Sequence, residues 1–297
     1  MSVESPLFDT LVVVGPGLIG SSVLRRARQT GTIARRLIAV DIDPIFRARV
    51  EELGIADEVT GDLRSAVADA DCVMLCVPVC AIGPVAAEAL PAMKPGAILT
   101  DTGSTKVSVI AAVEPALRPD ISFIPAHPMA GTEYSGPDAG FATLFEDRWC
   151  LLTPLPGTPE ADVEKITSLW ERCGARTRLM TPEHHDRVCA IVSHLPHLLA
   201  FTICGTADDL ADETRSEVLD FAASGFRDFT RIASSDPIMW RDIFLSNREA
   251  LLEMLARFTE DAQAMARAIR WGDADYIVDR IERGRTIRRS LIENKQA

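Results

Sequence analysis

The stretch LVVVGPGLIG, residues 11–20, decides the fold class of this chain. Four apolar residues predict a buried strand, and a G-x-G-x-x-G segment follows it directly, ahead of a helical stretch. Glycines at these three positions permit a tight turn, a close approach of a pyrophosphate to the backbone, and close packing of the helix on the strand. The start of the helix then offers free N–H groups to phosphates. The stretch therefore predicts a dinucleotide-binding βαβ unit.

The next predicted strand, LIAV at 37–40, ends in an acid. Asp41 follows it, 21 residues after Gly20. A carboxylate there accepts hydrogen bonds from a ribose 2′-hydroxyl and repels a 2′-phosphate, which favours NAD over NADP. Asp43 is a competing ribose ligand, but it lies further out and is expected to be solvated. The expected cofactor contacts are Gly15, Gly17, Leu18, Ile19, Gly20, Asp41, Val77, Pro78 and Thr102, although Val77 and Pro78 also suit a packing role.

The first 180 residues alternate apolar runs with helical patterns. The runs at 11–14, 37–40, 72–77, 97–101 and 122–126 are nearly continuous, as expected for parallel strands covered on both faces. Two more, at 150–154 and 175–180, flank a helical stretch and are expected to extend the sheet. The pattern predicts an α/β domain of Rossmann type over residues 1–180.

Residues 181–297 are predicted to form an all-helical domain. Thr181-Pro182 and Ser235-Asp236-Pro237 are helix starts, with a capping side chain before a proline at the first helical position. After the second start, apolar residues recur about every 3.5 positions as far as Trp271-Gly272, which predicts one helix of more than 30 residues. Because such a helix far exceeds the average of about 11–12 residues, we expect it to pack along a partner and form a dimer interface.

Composition restricts the partners and the location of the protein. Of the 297 residues, 47% are hydrophobic, and neither a secretory signal nor a membrane-spanning segment is expected, so the cytoplasm is predicted. The net charge of −12 disfavours nucleic acid and anionic lipid. An anionic substrate would need a local cluster of arginines, as found at Arg227, Arg231 and Arg241. Seven cysteines at spacings that match no zinc pattern indicate a reduced compartment and no metal.

Three segments carry polar residues that neither a core nor a linker requires. They are DTGSTK at 101–106, HPMAGTE at 127–133 and SHLPH at 193–197. The last two hold three of the five histidines of the chain. Together with GFRDFTRIASSDP-x-MW at 225–240, these segments resemble the blocks of prephenate and arogenate (cyclohexadienyl) dehydrogenases, over a span from Gly15 to about Asn247.

The resemblance implies a Rossmann-type domain followed by an all-helical dimerisation domain, which agrees with the pattern above. It also implies an activity: NAD-dependent oxidative decarboxylation of prephenate or arogenate, giving 4-hydroxyphenylpyruvate or tyrosine. Aromatisation drives that reaction, so the protein has to supply alignment, one base and one cationic clamp. No metal is required.

The resemblance also implies roles for particular residues. His127 would take the proton of the ring hydroxyl, and histidine suits this because it is largely neutral at cellular pH. Ser104 would orient the same oxygen or the nicotinamide. Arg231 would hold the ring carboxylate with two parallel bonds. The remaining expected substrate contacts are His197, His194, Thr132 and Glu133.

Structural roles compete with these interpretations. A histidine before proline is often a strand end, His194 and His197 suit an ordinary helix face, and Asp228 suits a surface ion pair with Arg231. Asp101 and Lys106 suit structural roles, while His184 and His185 are expected to face solvent. Two other functions compete: a β-hydroxyacid-type dehydrogenase, although residues 182–205 lack its catalytic lysine, and a non-catalytic NAD-sensing dimer.

Overall fold

The computed structural model describes residues 5–132, 134–210, 217 and 220–293. The chain divides into two compact units, Met1–Arg248 and Glu249–Ala297. The described part of the first unit contains an eight-stranded sheet in the order β3-β2-β1-β4-β5-β6-β7-β8. Its strands are β1 (Phe8–Val14), β2 (Ala34–Val40), β3 (Glu58–Thr60), β4 (Cys72–Leu75), β5 (Ile98–Asp101), β6 (Ser122–Pro128), β7 (Trp149–Leu152) and β8 (Arg176–Leu179).

The sheet confirms the predicted α/β class. Pairing is parallel from β3 to β6, antiparallel between β6 and β7, and parallel between β7 and β8. All seven predicted strands are present. Sequence reasoning missed β3, because its three residues, Glu58, Val59 and Thr60, form no apolar run.

Helices cover both faces of the sheet. They are α1 (Leu18–Thr30), α2 (Pro44–Leu53), α3 (Leu63–Val67), α4 (Val79–Ala89), α5 (Val107–Val113) and α6 (Glu160–Arg172). Successive residues of β1 enter opposite cores: Leu11 and Val13 pack in one, Val12 and Val14 in the other. This two-sided burial explains why the strands are nearly continuous apolar runs.

The first unit continues as helices after β8. They are α7 (Pro182–Cys189), α8 (Leu195–Asp208), α9 (Ser224–Thr230) and α10 (Pro237–Ser246), and a π-helical turn, Ala190–His194, joins α7 to α8. Both predicted starts are confirmed. Thr181 caps α7 by accepting a hydrogen bond from the His184 N–H, and Asp236 caps α10 by accepting one from the Met239 N–H.

The predicted single helix of more than 30 residues is wrong. α10 ends at Ser246, and a separate helix of 24 residues, α11 (Arg248–Trp271), begins after Asn247. Asn247 leaves the helical conformation, with φ −113° and ψ 32°, and its buried side chain makes two hydrogen bonds that an apolar periodicity does not reveal. The last helix is α12 (Ala274–Glu293), and Gly272, with φ 70°, ends α11 as expected.

The expectation that no segment is apolar enough to span a membrane also needs correction. The continuous helical segment Pro182–Asp208 has 27 residues and a mean hydropathy of 1.7 over its best window. Residues 188–207 contain no Asp, Glu, Lys or Arg. The same segment carries His185, His194 and His197, and His185 and His194 are buried against other parts of the unit. Since a core helix of a globular protein passes the same test of length and composition, the segment by itself is weak support for a membrane span.

Candidate active site

The residues predicted to bind the cofactor lie at one edge of the sheet. Gly15, Asp41, Val77 and Thr102 follow β1, β2, β4 and β5, and His127 lies near the end of β6. Because these strands are parallel, their carboxyl ends meet at the same edge. In doubly wound sheets this edge forms the ligand crevice, at the point where the strand order reverses, here between β1 and β4.

The backbone of the glycine loop fits a dinucleotide. Gly15 has φ +81°, and a Cβ there would lie 2.9 Å from the Cys76 carbonyl oxygen. A Cβ at Gly20 would lie 2.6 Å from the Gly15 carbonyl oxygen, so only glycine allows this packing. At Gly17 nothing lies within 4 Å of such a Cβ, which leaves open space over the start of α1. The first N–H groups of α1, from Leu18 onward, lack partners within the helix and are available to phosphate oxygens.

The two acids after β2 have different surroundings. Asp43 caps α2: its carboxylate accepts a hydrogen bond from the Ile45 N–H at 2.8 Å. Asp41 accepts from the Asp43 N–H at 2.8 Å through one oxygen, Oδ1. Burial raises the pKa of Asp41 above its ordinary value. These contacts favour Asp41, rather than Asp43, as the ribose ligand.

The other expected cofactor residues line the neighbouring strand ends. A Cβ added to Gly15 would lie 2.9 Å from a methyl group of Val77, so Val77 packs on the glycine loop. Pro78 directly precedes α4. The Thr102 N–H donates to the Leu75 carbonyl at 3.0 Å and joins the ends of β4 and β5. These contacts are structural, and a role in cofactor binding stays a prediction.

A hydrogen-bonded chain of three side chains lies behind the end of β6. His127 Nδ1 is 2.8 Å from His185 Nε2, and His185 Nδ1 is 2.7 Å from Asp186 Oδ1. The two Asp186 oxygens also accept the backbone N–H groups of Lys106 and Val107, at 2.8 and 3.0 Å. All three side chains are buried. The chain therefore connects β6 to α7 and to the loop after β5.

The direction of the hydrogen bonds follows from Asp186. An ionised carboxylate only accepts, so His185 Nδ1 carries a proton and donates it. A neutral His185 then has its lone pair on Nε2, which accepts from the Nδ1–H of His127. That leaves His127 Nε2 with a lone pair. The chain thus leaves one defined nitrogen of His127, Nε2, free to accept a proton.

A buried ion pair lies beside this chain. Lys106 Nζ donates to Asp101 Oδ2 at 2.6 Å and to the Ala126 carbonyl at 2.7 Å, and both charged side chains are fully buried. This supports the structural roles expected for Asp101 and Lys106. Burial holds the pKa of His127 well below its usual range, and the positive charge of Lys106 acts in the same direction. His127 is therefore neutral at cellular pH.

The expectation that His185 faces solvent is wrong. His185 is fully buried, whereas its neighbour His184 is exposed. On α7, His185 and Cys189 lie on the same side as the sheet edge, one turn apart, and both contact His127. The adjacent pair of histidines gave no sign of which one points inward. The sequence feature that indicated an inward-pointing His185 was its spacing of four residues from Cys189, which is buried.

His127, His185 and Cys189 also form a group of metal-ligand types, with ligand atoms within 4.8 Å of one another. The cysteine and histidine spacings in the sequence did not predict this group, because 58 residues separate His127 from His185. The two nitrogens are 2.8 Å apart, whereas two nitrogen ligands of one tetrahedral zinc ion lie about 3.3 Å apart. Burial raises the pKa of the Cys189 thiol to about 12. The arrangement fits a hydrogen-bonded network better than a metal centre.

The π-helical turn places two further histidines beyond this chain. His194 is buried, and its Nδ1 lies 3.0 Å from Asn247 Nδ2. His197 stacks on Trp240 with ring centroids 3.6 Å apart, and its Nδ1 donates to the Ser193 carbonyl at 2.9 Å. Such π-helical turns occur often at functional sites. Neither the turn nor the role of Asn247 was predicted from the sequence.

Arg231 lies near His197. It begins a short 3₁₀ turn, Arg231–Ser234, and its charge lowers the pKa of His197, although burial is the larger cause. Arg231 is exposed. In the part of the chain that the structure describes, no ion pair joins it to Asp228, so the competing surface ion pair is not formed there. Arg231 is available to an anionic ligand.

The last three expected site residues have fewer internal contacts. The half-buried Ser104 hydroxyl makes no hydrogen bond to a described residue. Thr132 is exposed, and its hydroxyl accepts from the Tyr134 N–H at 3.3 Å. Glu133 lies outside the described residues. The structure therefore joins His127 to His185 and His197 to Trp240, and among the described residues no hydrogen bond joins Ser104 or Thr132 to these side chains.

A doubly wound sheet with a glycine loop, an acid after its second strand and a neutral histidine at the same edge defines a dinucleotide-dependent oxidoreductase. Comparison with known proteins narrows this class. Residues 24–179 match the family model "Prephenate dehydrogenase, nucleotide-binding domain", and residues 181–283 match "Prephenate dehydrogenase, dimerization domain". The chain belongs to the prephenate dehydrogenase family.

Individual relatives agree with this family. The cyclohexadienyl dehydrogenase of Zymomonas mobilis is 41% identical over 96% of this chain and 97% of its own length. The prephenate dehydrogenase of Bacillus subtilis is 32% identical over 90% of this chain and 72% of its own. The crystal structure of Aquifex aeolicus prephenate dehydrogenase, in complex with hydroxyphenyl propionate and NAD+, has a TM-score of 0.88 at 31% identity and covers 95% of this chain and 98% of that one. Synechocystis arogenate dehydrogenase has a TM-score of 0.82 at 27% identity, covering 95% and 99%.

Proposed function

We propose that this protein is an NAD-dependent dehydrogenase that oxidises and decarboxylates prephenate, arogenate or both, a reaction of tyrosine biosynthesis. The observation that carries the proposal is the hydrogen-bonded chain Asp186–His185–His127 at the carboxyl edge of a dinucleotide-binding sheet. The names of the relatives support the substrate class, and the complex of the Aquifex aeolicus enzyme supports NAD. When bound, NAD is the hydride acceptor of the reaction.

Cofactor binding is proposed to rest on the glycine loop. The backbone of Gly15, Gly17, Leu18, Ile19 and Gly20 would hold the pyrophosphate at the start of α1. Asp41 would accept the ribose hydroxyls. The open space over Gly17 and the partly free carboxylate of Asp41 support this arrangement. Val77, Pro78 and Thr102 would line the nicotinamide end.

His127 is proposed as the general base. Its Nε2 lone pair would take the proton of the ring hydroxyl while the same carbon gives up its hydride. Ser104, with a hydroxyl that no described residue engages, would orient that oxygen. A base has to be unprotonated to act, and the lowered pKa of His127 maintains that state. His185 and Asp186 touch no substrate in this scheme and act as positioning residues.

The decarboxylation step needs no second base. Removal of the hydride and the hydroxyl proton leaves a ring carbonyl that is conjugated to the carbon bearing the carboxylate. The bond to that carboxylate breaks, carbon dioxide leaves, and the bonding electron pair enters the ring to give a phenolate. The phenolate would take back the proton held on His127 to give the phenol. Arg231 would hold the carboxylate by two parallel hydrogen bonds before it leaves. His197, next to Arg231, would contact the substrate, and Thr132 and Glu133 would approach its side-chain end.

The stoichiometry of the products tests the proposed reaction. The purified protein, supplied with NAD and either prephenate or arogenate, is expected to form NADH and carbon dioxide in equal amounts. NADH absorbance and a coupled carbon dioxide assay measure both. NADH without carbon dioxide would contradict the mechanism, and no NADH from either acid would reject the function. The ratio of kcat/KM for the two acids gives the preference.

Arg231 has a matched control on the same face. Arg231→Ala is expected to raise KM for the acid substrate by about tenfold or more, because a charged hydrogen-bond pair is lost, while NAD affinity stays the same. Arg227→Ala removes an exposed arginine one helical turn earlier. It is expected to leave KM unchanged. Equal effects of the two variants would assign the KM change to general charge, and no effect of Arg231→Ala would remove Arg231 from the substrate site.

We further propose a homodimer formed through residues 181–297, working in the cytoplasm. The match to a dimerisation domain supports the first part. It also accounts for the apolar surface of the segment Pro182–Asp208, of which only 28% of the most apolar window is buried within one chain. Seven free cysteines support a reducing compartment. Light scattering of the purified protein, together with membrane fractionation of cells, tests both statements.

A further inference from the structure

A long connection leaves the strand that carries the proposed base. β6 and β7 pair antiparallel, with His127 opposite Leu151, and the connection between them occupies residues 129–148. Two adjacent antiparallel strands can be joined by as few as two residues. The additional residues therefore serve another purpose than the turn itself, and residues 129–141 are called the connecting segment below.

The connecting segment ends on the helix that is proposed to hold the pyrophosphate. Gly140 is buried against the start of α1, where a Cβ would lie 2.0 Å from Ser21 Oγ and 3.0 Å from the Ser22 nitrogen. The Phe141 N–H donates to Ser22 Oγ at 3.0 Å, and that hydroxyl donates its own proton to the Leu18 carbonyl at 2.7 Å. The Ser22 hydroxyl thus acts as donor and acceptor at once. Only glycine at position 140 allows the segment to come so close to α1.

A second attachment reaches α2, the helix after the proposed ribose acid. Arg49 Nε and Nη2 donate to Asp138 Oδ1 at 2.9 and 2.7 Å. The side chains of Arg49 and Asp138 are 41% and 63% exposed, so water and salt weaken this ion pair. Ser22, in contrast, is fully buried. The contacts at the start of α1 therefore fasten the segment more firmly than the ion pair does.

The exposed part of the connecting segment lies, along the chain, between the proposed base and this attachment. Gly131, Thr132, Tyr134 and Ser135 are exposed, whereas Pro137 and Gly140 are buried. An exposed stretch that starts at the carboxyl edge of the sheet and is held at the start of α1 is suited to form one wall of the crevice. Hydride transfer depends on close alignment, and a misplacement of about 1 Å can cost about 100-fold in rate.

We infer that Ser22 and Gly140 are positioning residues of the proposed reaction. They fasten the connecting segment to α1, so that its exposed part forms one wall of the crevice and keeps the substrate at the correct distance from the nicotinamide. The inference rests on the proposed function, and neither residue touches substrate or the reacting atoms. It gives α1 two tasks: its first N–H groups would bind phosphates, while a serine hydroxyl four residues further on holds the substrate side of the crevice.

Two neighbouring serines provide a matched pair of variants. Ser22→Ala removes the acceptor of the Phe141 N–H. Ser21→Ala also removes a buried hydroxyl, but one that donates to the Leu18 carbonyl at 3.4 Å and makes no hydrogen bond to the described residues of the connecting segment. Because one hydrogen bond of the attachment is lost, we expect Ser22→Ala to lower kcat by about fivefold or more, with unchanged NAD affinity. Ser21→Ala is expected to match wild type.

The measurement is kcat per NAD-binding site, with the number of sites taken from fluorescence titration with NAD. A variant that is only less well folded would bind less NAD per chain and keep the wild-type kcat per site. A wild-type value for Ser22→Ala would therefore overturn the inference, as would equal losses in the two serine variants. These outcomes differ from failure of the proposed function, in which the wild-type protein makes NADH from neither acid.

A steric test approaches the same contact from the connecting segment. Gly140→Ala would place a methyl group 2.0 Å from Ser21 Oγ and push the segment away from α1. We expect kcat per site to fall by about 10–100-fold. Adding Ser21→Ala removes the nearest clashing atom and is expected to recover part of kcat. Wild-type turnover per site in Gly140→Ala would overturn the inference, as would equal turnover of the single and double variants.

Discussion

The glycine loop after β1 and the histidine chain behind β6 serve the same proposed reaction, but they are built in opposite ways. The loop is local: its backbone from Gly15 to Gly20 makes the turn, and a Cβ at either end would meet backbone atoms. The chain joins His127 to His185, 58 positions away, and is made of side chains alone. A short stretch of sequence therefore reveals the first, whereas only folding brings the second together.

The difference extends to how each region controls chemistry. The loop acts through fixed backbone N–H groups, which do not titrate. The chain acts through protonation states, and burial together with the charge of Lys106 holds His127 neutral. Changes in the chain should therefore alter turnover and pH dependence, while changes at the ribose end of the cofactor site should alter the choice of cofactor.

The largest expected effect comes from the base. His127→Asn keeps an N–H close to the position of Nδ1, which can still donate to His185, but it removes the lone pair at Nε2. We expect kcat to fall by roughly 10²–10⁴-fold, the usual contribution of a general base. NAD affinity, measured by fluorescence titration, should not change. Turnover at the wild-type rate would show that the histidine chain is structural only.

The next largest expected effect is a loss of folding stability in acid. The pKa values of His127, His185 and His194 are lowered by burial in the folded protein. Below pH 6.5 these histidines bind protons in the unfolded chain that they do not bind in the folded chain. Their contribution to the free energy of unfolding is therefore complete above pH 6.5 and is lost as the pH falls toward their pKa values in the folded state. For His194, between 6.5 and about 4, the loss is on the order of 3 kcal/mol.

Urea unfolding at pH 7 and at pH 4 measures this loss. His194→Gln removes one of the titrating groups and should reduce the difference between the two pH values relative to wild type. A difference of the same size in the variant would mean that the pKa of His194 is the same in the folded and unfolded states, contrary to its lowered pKa.

A smaller effect is expected from His185, the positioning residue that accepts the hydrogen bond from His127. His185→Leu removes the acceptor for His127 Nδ1–H, so His127 loses its fixed tautomer. Groups that orient a metal-bound histidine commonly contribute about 10–100-fold, and we expect a loss of kcat in that range. His185→Gln restores an acceptor oxygen and should recover part of the activity. Equal activity of the Leu and Gln variants would show that an acceptor at position 185 does not contribute to the function of His127.

The smallest effect is expected at the ribose end. Asp41→Ala removes the carboxylate that favours a free 2′-hydroxyl, so the ratio of kcat/KM for NAD over NADP should fall by about tenfold. Asp43→Asn is the matched control, because asparagine also caps a helix and the contacts of α2 are kept. A shift of the ratio by the control, or equal use of both cofactors by the wild type, would show the assignment to Asp41 to be wrong.

Most of the fold was predictable because it depends on local patterns. Buried parallel strands are apolar runs, and Thr181 and Asp236 cap helices through their own side chains. Two predictions failed where a tertiary contact decided the outcome. The long helix breaks at Asn247, whose amide bonds to Asp186 and His194 from another part of the unit. His185 turns inward because His127 and Asp186 satisfy its nitrogens there.

The sequence by itself determined the doubly wound class, the glycine loop, the acid at Asp41 and, through the family motifs, the candidate base His127. These features depend on residues that are adjacent or regularly spaced, so the chain carries them in readable order. Only the tertiary structure decided which nitrogen of each histidine carries a proton. That property depends on the donor or acceptor placed opposite each ring, and these partners come from strands and helices that are distant in the chain.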